Sequence, residues 1–445
     1  MYALRNVLKL VILGVLALSL SVMSVACGGN GDNNTNTNDN NNNGTSAGPA
    51  VSFSRADKAT IFKLSPVPGL PASPTNKWAD DDKAAHFGQY MFFESRISAN
   101  GEVSCATCHA PEKGFGDGLA VSKGITTVNR HAPTVWNTGH NRWFFWDGRA
   151  DSLWAQAIRP IEDGKEMGYS RLELAHFIAK TDDIKKAYES IFGAFPDISD
   201  SARFPAKGKP GDDAFDNMKD EDKVAITRIT VNVAKAIAAY ERKIISKDAP
   251  FDTFVDGWKE GNADKLKAIS ESAQRGLKLF VGKARCVLCH FGPNFTNREF
   301  HNIGLSLSKT LPRDTGRFDA IDKVKKDEFN GMSQYSDIPP DHEFNKKIKF
   351  LAQKAHNLGE FKTPSLRSVT TSAPYMHDGR FKTLKEVINH YNKFPEPAAF
   401  SPREEILIEL KLTDKEVDDL VEFLKALKGK DLPESLLKKP SSPMP

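Results

Sequence analysis

Two short runs of the chain carry residues whose types and spacing could hold an iron cofactor. In each run two cysteines lie one helical turn apart and a histidine follows directly. The cysteines are Cys105 and Cys108, then Cys286 and Cys289, and the histidines are His109 and His290. Such thiols can form thioethers with the vinyl groups of a haem, and the adjacent histidine can bind the iron as its proximal ligand. A redox cysteine pair would not need the histidine, and a zinc site would need more ligands nearby. The repeated motif predicts two covalently bound haem c groups.

The surroundings of the two runs also repeat. Gly88-x-x-x-Phe92 precedes the first run, and Gly276-x-x-x-Phe280 precedes the second. Pro133 is followed by Asp147-Gly148-Arg149, and Pro364 is followed at the same distance by Asp378-Gly379-Arg380. Matched landmarks at matched spacings indicate an internal duplication. We expect a mostly α-helical fold of two tandem cytochrome c-type domains, each wrapped round one haem.

Apolar periodicity predicts the helices that position the two runs. A helical stripe over 81–93 precedes the first run, and a longer one over 226–244 closes the first half. A capping box of Thr413 and Glu416 begins a last helix, which should pack on the leading helix of the second half. The polar stretch 323–341 is typical of a surface loop.

The N-terminus resembles a bacterial export signal. Basic residues precede an apolar run over 10–22, which is too short for a membrane-spanning helix. Cys27 and the polar tract after it resemble the acylated cysteine and flexible tether of a lipoprotein. However, Ser24 stands where lipoproteins usually carry Leu or Val, so ordinary cleavage that leaves a free Cys27 thiol remains the alternative. The expected location is the periplasm, with the membrane contacted only through a lipid anchor.

These patterns predict the domain boundaries. They are a signal peptide at 1–26, a lipid-anchored flexible linker at 27–73, haem domains at 74–248 and 263–430, and a mobile tail at 431–445, with 248–262 as the connection between the halves. Four of the five cysteines belong to the haem runs, so no disulfide framework is expected. The net charge is +4 and the basic residues are spread along the chain, which argues against a nucleic-acid partner.

Aligning the halves on Asp-Gly-Arg compares the far sides of the two irons. Tyr391 comes thirteen residues after Asp378, and Pro160 comes thirteen residues after Asp147. A phenolate can bind iron whereas proline cannot, so one iron would be closed and the other open to a small molecule. A buried tyrosine with a hydrogen-bonded hydroxyl is an equally good reading of Tyr391.

Near the predicted open iron the chain supplies Gln156 and Glu166. In an apolar pocket the pKa of Glu166 would rise towards neutrality, which suits a general acid–base that moves a proton between peroxide oxygens. A solvated glutamate is the ordinary alternative. Trp146 lies in the richest aromatic cluster of the chain and could relay electrons between haems, or it could simply fill the core beside a porphyrin.

The chain resembles the bacterial dihaem cytochrome c peroxidase and MauG family over about 74–429. The resemblance rests on Phe145–Ala150, on Gln156, Pro160 and Glu166–Gly168, and in the second half on 361–367 and 374–379. It implies an N-terminal peroxidatic haem, a C-terminal electron-transfer haem, Trp146 between them and a calcium ion between the domains. Tyrosine at 391, where ordinary peroxidases carry Met, makes the chain similar to MauG.

Two further positions depart from the ordinary peroxidases of that family. The loop between His109 and His131 contains no histidine that could block the first iron, so activation by reduction of the second haem is not expected, unless His131 or His140 moves in. The asparagine of the calcium site is replaced by His131, which is a poor ligand for a hard cation. The carbonyls of Ser372 and Pro374 are the remaining candidates for calcium.

The resemblance implies a dihaem peroxidase that reduces hydrogen peroxide at the N-terminal haem. Electrons would pass through the C-terminal haem from a small cytochrome c or a cupredoxin. The first alternative is a MauG-like enzyme that oxidises residues of a partner protein through a high-valent haem. The second, from a different class, is a non-catalytic dihaem electron carrier.

Overall fold

The computed structural model describes residues 47–400 and 402–445. The predicted signal peptide, Cys27 and the first part of the predicted linker lie outside these residues. Within the described part of the chain, no helix is long and apolar enough to cross a membrane.

The fold is mostly α-helical, as predicted, with one short sheet in the described residues. The helices are α1 (Arg55–Ile61), α2 (Asp82–Phe92), α3 (Cys105–Cys108), α4 (Leu153–Glu162), α5 (Arg171–Lys180), α6 (Asp182–Phe192), α7 (Asp213–Asp216), α8 (Asp220–Glu241), α9 (Pro250–Glu260), α10 (Ala263–Leu266), α11 (Glu271–Val281), α12 (Arg317–Lys326), α13 (Lys346–Lys349), α14 (Leu384–Lys393) and α15 (Asp414–Lys425). Strands β1 (Phe300–His301) and β2 (Phe361–Lys362) pair antiparallel, with Phe300 opposite Lys362.

Each half has its own hydrophobic core, and the two cores are built on equivalent helix pairs. In the first half α2 packs against α8, and in the second α11 packs against α15. The capping box predicted at the start of α15 is present, since the Glu416 N–H donates to the Thr413 hydroxyl and the Thr413 N–H donates to the Glu416 carboxylate. The contact between α15 and α11 confirms that the last helix packs on the leading helix of the second half.

The two repeated glycines allow these helix pairs to approach closely. A Cβ atom added to Gly88 would lie 1.8 Å from the carbonyl oxygen of Ala236, and one added to Gly276 would lie 2.0 Å from that of Asp419. Neither distance is compatible with a side chain unless the helices separate. The Gly-x-x-x-Phe repeat thus marks the crossing point of the leading and closing helices in both halves.

We expect Gly276→Ala to lower the free energy of unfolding by about 1–3 kcal/mol, because a methyl group forced into a packed contact shifts backbone. Denaturant unfolding of the haem-loaded protein, followed by circular dichroism, measures the change. Gly69→Ala is the control, since a Cβ atom there meets nothing within 4 Å. Equal stability of the two variants would contradict this account of the repeat.

The two ends of the described chain pack on opposite halves. Ile61 and Leu64 are buried in the second core, and the Val51 N–H donates to Gln274 of α11. At the other end, the hydroxyl of Tyr240 in α8 donates to the carbonyl of Leu436 at 2.6 Å. The expectation of a flexible linker up to residue 73 is therefore wrong for its described part, and the tail after 430 is packed rather than mobile. Both segments contain enough apolar side chains to complete a core.

The stretch 323–341, predicted as a surface loop, is mostly turns after residue 326, but it is not confined to the surface. Its first residues belong to α12, and Phe329 and Tyr335 are buried in the core of the first half. The ammonium group of Lys235 in α8 donates to the carbonyl of Tyr335 at 2.8 Å and to Asp337 at 2.6 Å. This segment of the second half is thus bound into the first. The expected connection 248–262 forms α9, which packs in the second core.

Candidate functional site

A single cavity of about 790 Å³ brings both haem runs together. Its wall includes Cys108 and His109 of the first run and Cys286, Cys289 and His290 of the second. Cys105 is not part of the wall and packs against the core of the first half. The other predicted site residues that line it are Trp146, Gln156, Pro160, Glu166, Ser372, Pro374 and Tyr391. Its volume lies within the range of about 300–1,000 Å³ typical of ligand and cofactor sites.

The first run fits a haem anchor. Helix α3 holds the two cysteines and ends at His109, whose Nδ1 lies 3.2 Å from the carbonyl of Phe115. Burial lowers the pKa of His109, and the carbonyls of Phe115 and Pro133 oppose the shift by accepting hydrogen bonds. A neutral imidazole that donates from Nδ1 leaves Nε2 free for iron.

The second run repeats this arrangement. Nδ1 of His290 lies 2.9 Å from the carbonyl of Phe295, and burial lowers the pKa of His290 to about 4. The carbonyls of Phe295 and Pro364 again oppose the shift. Pro364 is the counterpart of Pro133, so the duplicated proline marks a carbonyl beside each proximal histidine. Both runs therefore carry thiols and a correctly oriented imidazole for a haem.

The two irons would meet different residues on their other faces. In the first half, Gln156 and Pro160 lie on α4 and line the cavity together with Glu166. In the second half, Tyr391 on α14 lines the same cavity. The hydroxyl of Tyr391 makes no hydrogen bond to any described residue, whereas that of Tyr240 does. The reading of Tyr391 as a hydrogen-bonded core tyrosine is thus without support in the described residues.

The chain around Glu166 holds its backbone firmly. The N–H of Ile125 donates to the carbonyl of Glu166 at 2.8 Å, and the N–H of Glu166 donates to Asp163 at 3.0 Å. Ile125 lies in the loop after the first run, which has no histidine. Burial raises the pKa of the Glu166 carboxyl, Asp163 raises it further, and the charge of Arg149 lowers it. Glu166 is thus a partly buried carboxyl whose surroundings favour its protonated form more than water does.

Trp146 lies where the two halves meet. Its indole N–H donates to the carbonyl of His131 at 2.8 Å, and its own carbonyl accepts from the N–H of Lys362 in β2 at 2.8 Å. The N–H of His131 in turn donates to the carbonyl of His377, the counterpart of Trp146 in the second half. The ring is thereby fixed in the wall that both haem runs share.

Of the two candidate blocking histidines, His131 lines the cavity and His140 does not. Nδ1 of His131 bonds to the carbonyl of Leu119 at 2.8 Å. His131 therefore shares the cavity wall with Gln156 and Glu166, and its Nδ1 is held by the chain.

Comparison with known proteins agrees with this geometry. The family described as "Di-haem cytochrome c peroxidase" matches residues 82–260. The chain is 32% identical to the methylamine utilization protein MauG of Methylorubrum extorquens, over 84% of each chain. The chain belongs to the di-haem cytochrome c peroxidase and MauG family. It is also 32% identical to cytochrome-c peroxidase IdrP1 of Denitromonas iodatirespirans, over 84% of this chain and 88% of that one. Members of this family are haem-dependent oxidoreductases, and membership implies two haem c cofactors.

Solved structures support the family fold. A MauG-like protein associated with microbial copper homeostasis aligns with a TM-score of 0.59 at 24% identity, covering 84% of this chain and 97% of that one. The diheme peroxidase BthA from Burkholderia thailandensis aligns with the same TM-score at 21% identity, covering 86% and 96%.

The residues present do not fit the calcium ion that the family resemblance implies. The side chain and the carbonyl of His131 are both occupied, by Leu119 and Trp146. This leaves the carbonyls of Ser372 and Pro374, which fall short of the six to eight oxygen ligands that calcium takes. No group of three or more His, Cys, Asp or Glu side chains gathers in the described residues.

Among the ionisable residues of the cavity wall that sequence reasoning missed are Glu241 and Lys362. Burial raises the pKa of Glu241 to about 8, and its Oε2 has no hydrogen-bond partner among the described residues. Burial also lowers the pKa of Lys362 to about 8. Glu241 lies at the end of α8, within the apolar stripe of that helix, and is its only buried acid after Asp222. An acid within an apolar stripe was the signal in the sequence that could have identified it.

Proposed function

We propose that this dihaem enzyme reduces hydrogen peroxide at the haem held by His109, with electrons that pass through the haem held by His290. The observation that carries the proposal is that one cavity is lined by different residues from the two halves. Gln156, Pro160 and Glu166 stand on the first side and Tyr391 stands on the second. Proline cannot bind iron, so the first haem keeps a position for peroxide while the phenolate closes the second.

In this proposal Glu166 manages the proton. Haem iron, when bound, supplies the redox chemistry, in which two electrons break the O–O bond. The Glu166 carboxylate takes the proton from the inner oxygen of hydrogen peroxide and returns it to the outer oxygen, which leaves as water. Gln156 offers an amide on the same wall that can hold the peroxide in position. The second oxygen becomes water with two further protons.

The route for electrons passes the fixed ring of Trp146, which lies in the wall shared by both haem runs. At the second run the cavity has an apolar rim, since Leu288, Ile406 and Ile408 line it and are each 40–49% exposed. In the first run the residue that corresponds to Leu288 is Thr107. A small cytochrome c or a cupredoxin could dock on such a rim and reduce the second haem.

A MauG-like reaction is the second candidate, because Tyr391 faces the second haem run without a hydrogen-bond partner. In that case residues of a partner protein would supply the electrons through the same rim and Trp146. A lipid-anchored position in the periplasm, through Cys27, fits either reaction.

The test that separates an enzyme from an electron carrier is ligand stoichiometry. We expect the fully reduced protein to bind one carbon monoxide per two haems, because only one iron is open. Optical titration at the Soret band measures this ratio. A carrier with two six-coordinate irons would bind none, and that result would remove the proposed function.

A further inference from the structure

The Asp-Gly-Arg turn occurs twice with the same backbone. Residues 144–150 close through a hydrogen bond of 3.0 Å from the N–H of Phe144 to the carbonyl of Ala150. Residues 375–381 close through the equivalent bond of 2.7 Å. The glycines of both turns have positive φ, 71° and 61°. The side chains of Arg149 and Arg380 therefore start from equivalent backbone positions. Any difference in their contacts comes from the residues around them.

All three guanidinium nitrogens of Arg380, in the second turn, donate hydrogen bonds within the protein. Its Nε and Nη2 donate to Asp378 at 2.8 and 2.6 Å. Its Nη1 and Nη2 also donate to the hydroxyl and carbonyl of Ser306, at 3.1 and 2.8 Å. Arg380 is not part of the wall of the haem cavity. Its role is to hold its own turn against the neighbouring loop.

Arg149, in the first turn, is held in a different way. Only its Nη1 bonds to a side chain, at 3.1 and 3.3 Å from the two carboxylate oxygens of Asp147. Its guanidinium lies over the ring of Phe145, with the central carbon 3.5 Å from the ring centroid. This stacking fixes the plane and leaves Nε and Nη2 without a partner among the described residues. The second turn has Met376 in place of Phe145 and so lacks the aromatic support.

The free side of Arg149 belongs to the cavity. The residue lines the wall together with Gln156, Pro160 and Glu166, the residues assigned to the open side of the first haem. Its charge also reaches Glu166, where it opposes the rise in the carboxyl pKa that burial causes. A guanidinium with unused N–H groups in a partly buried pocket is suited to bind an anion.

We propose that Arg149 makes the pocket over the first haem selective for small anions, the hydroperoxide anion among them. The inference rests on the proposed function, in which the haem of His109 has the open side. Hydrogen peroxide enters neutral and passes one proton to the Glu166 carboxylate, so the anion that remains lies beside the fixed positive charge. The second half lacks this feature, because the guanidinium of Arg380 is bonded to Asp378 and Ser306.

Ligand binding to the haem-loaded, full-length protein tests the proposal without turnover. Azide and fluoride serve as anionic probes of the oxidised protein, and carbon monoxide serves as a neutral probe of the reduced protein, all followed optically. We expect Arg149→Gln to raise the Kd of azide and fluoride about tenfold or more and to leave that of carbon monoxide within about twofold. Arg149→Lys, which keeps the charge, should recover part of the anion affinity.

Arg380→Gln is the matched control, because it makes the same change in the other copy of the turn. It should leave the Kd of azide unchanged. Anion affinities of Arg149→Gln that equal those of the wild type would overturn the inference. So would a parallel loss of azide and carbon monoxide binding with reduced haem content, since Arg149 would then support the haem itself. A wild-type protein that binds neither probe would instead remove the proposed function.

Discussion

Glu166→Gln should lower kcat/KM for hydrogen peroxide by about 10²–10⁴-fold, the usual contribution of a positioned acid–base group. Glutamine keeps the size and polarity of the side chain but cannot accept the peroxide proton. The variant should still bind carbon monoxide, because the open position of the first haem is unaffected. Peroxide consumption with an excess of reduced donor measures the change.

The pH dependence of the activity tests the same role of Glu166. The pKa of Glu166 is raised by burial, so the carboxylate that accepts a proton is lost as the pH falls through this raised value. Activity should therefore fall on the acid side at a pH above the ordinary glutamate pKa, and Glu166→Gln should lack this fall. Glu112→Gln, an exposed position close to the first run, is the control and should behave as the wild type. A Glu166→Gln enzyme with full activity and an unchanged profile would exclude the acid–base role.

Tyr391→Phe should open the second iron. We expect the reduced variant to bind two carbon monoxide molecules per chain instead of one, because phenylalanine offers no ligand. The reduction potential of the second haem should rise, since an anionic phenolate stabilises the oxidised iron. Optical titration and spectroelectrochemistry measure the two effects.

Tyr375→Phe is the matched control for this experiment. Tyr375 also lines the cavity, but its hydroxyl donates to the carbonyl of Val369 at 3.3 Å. Its removal should leave the stoichiometry at one. If Tyr391→Phe also binds a single carbon monoxide and keeps its potential, the phenolate is not a ligand and the two halves differ for another reason.

The features predicted well from the sequence are those that depend on local spacing. The haem runs, the repeated Gly-x-x-x-Phe and the positions of Pro160 and Tyr391 are all fixed within one turn or one helix. The duplication provided an internal comparison, so Pro160 and Tyr391 could be identified as counterparts in the two halves without any structure.

Features that depend on distant contacts could not be predicted in this way. Nothing local shows that Phe329 and Tyr335 belong to the core of the other half, because a polar segment with few apolar residues has the composition of a loop. Nor does anything local show that residues 47–73 and 431–445 pack on the two cores. The free guanidinium of Arg149 was also missed, since the motif Asp-Gly-Arg is identical in both halves and only the tertiary surroundings separate them.

Each end of the described chain packs on the core of the opposite half, and this has a consequence for the order in which the chain can fold. The core of the first half is incomplete until 329–335 and 432–437, which follow the second haem run along the chain, have packed against it. A chain that ends at residue 248 would leave these apolar contacts open to water. The first half therefore cannot complete its core before these segments of the second half are in place. We expect a chain cut between the two haem runs to expose this apolar surface rather than to give an independently folded first half.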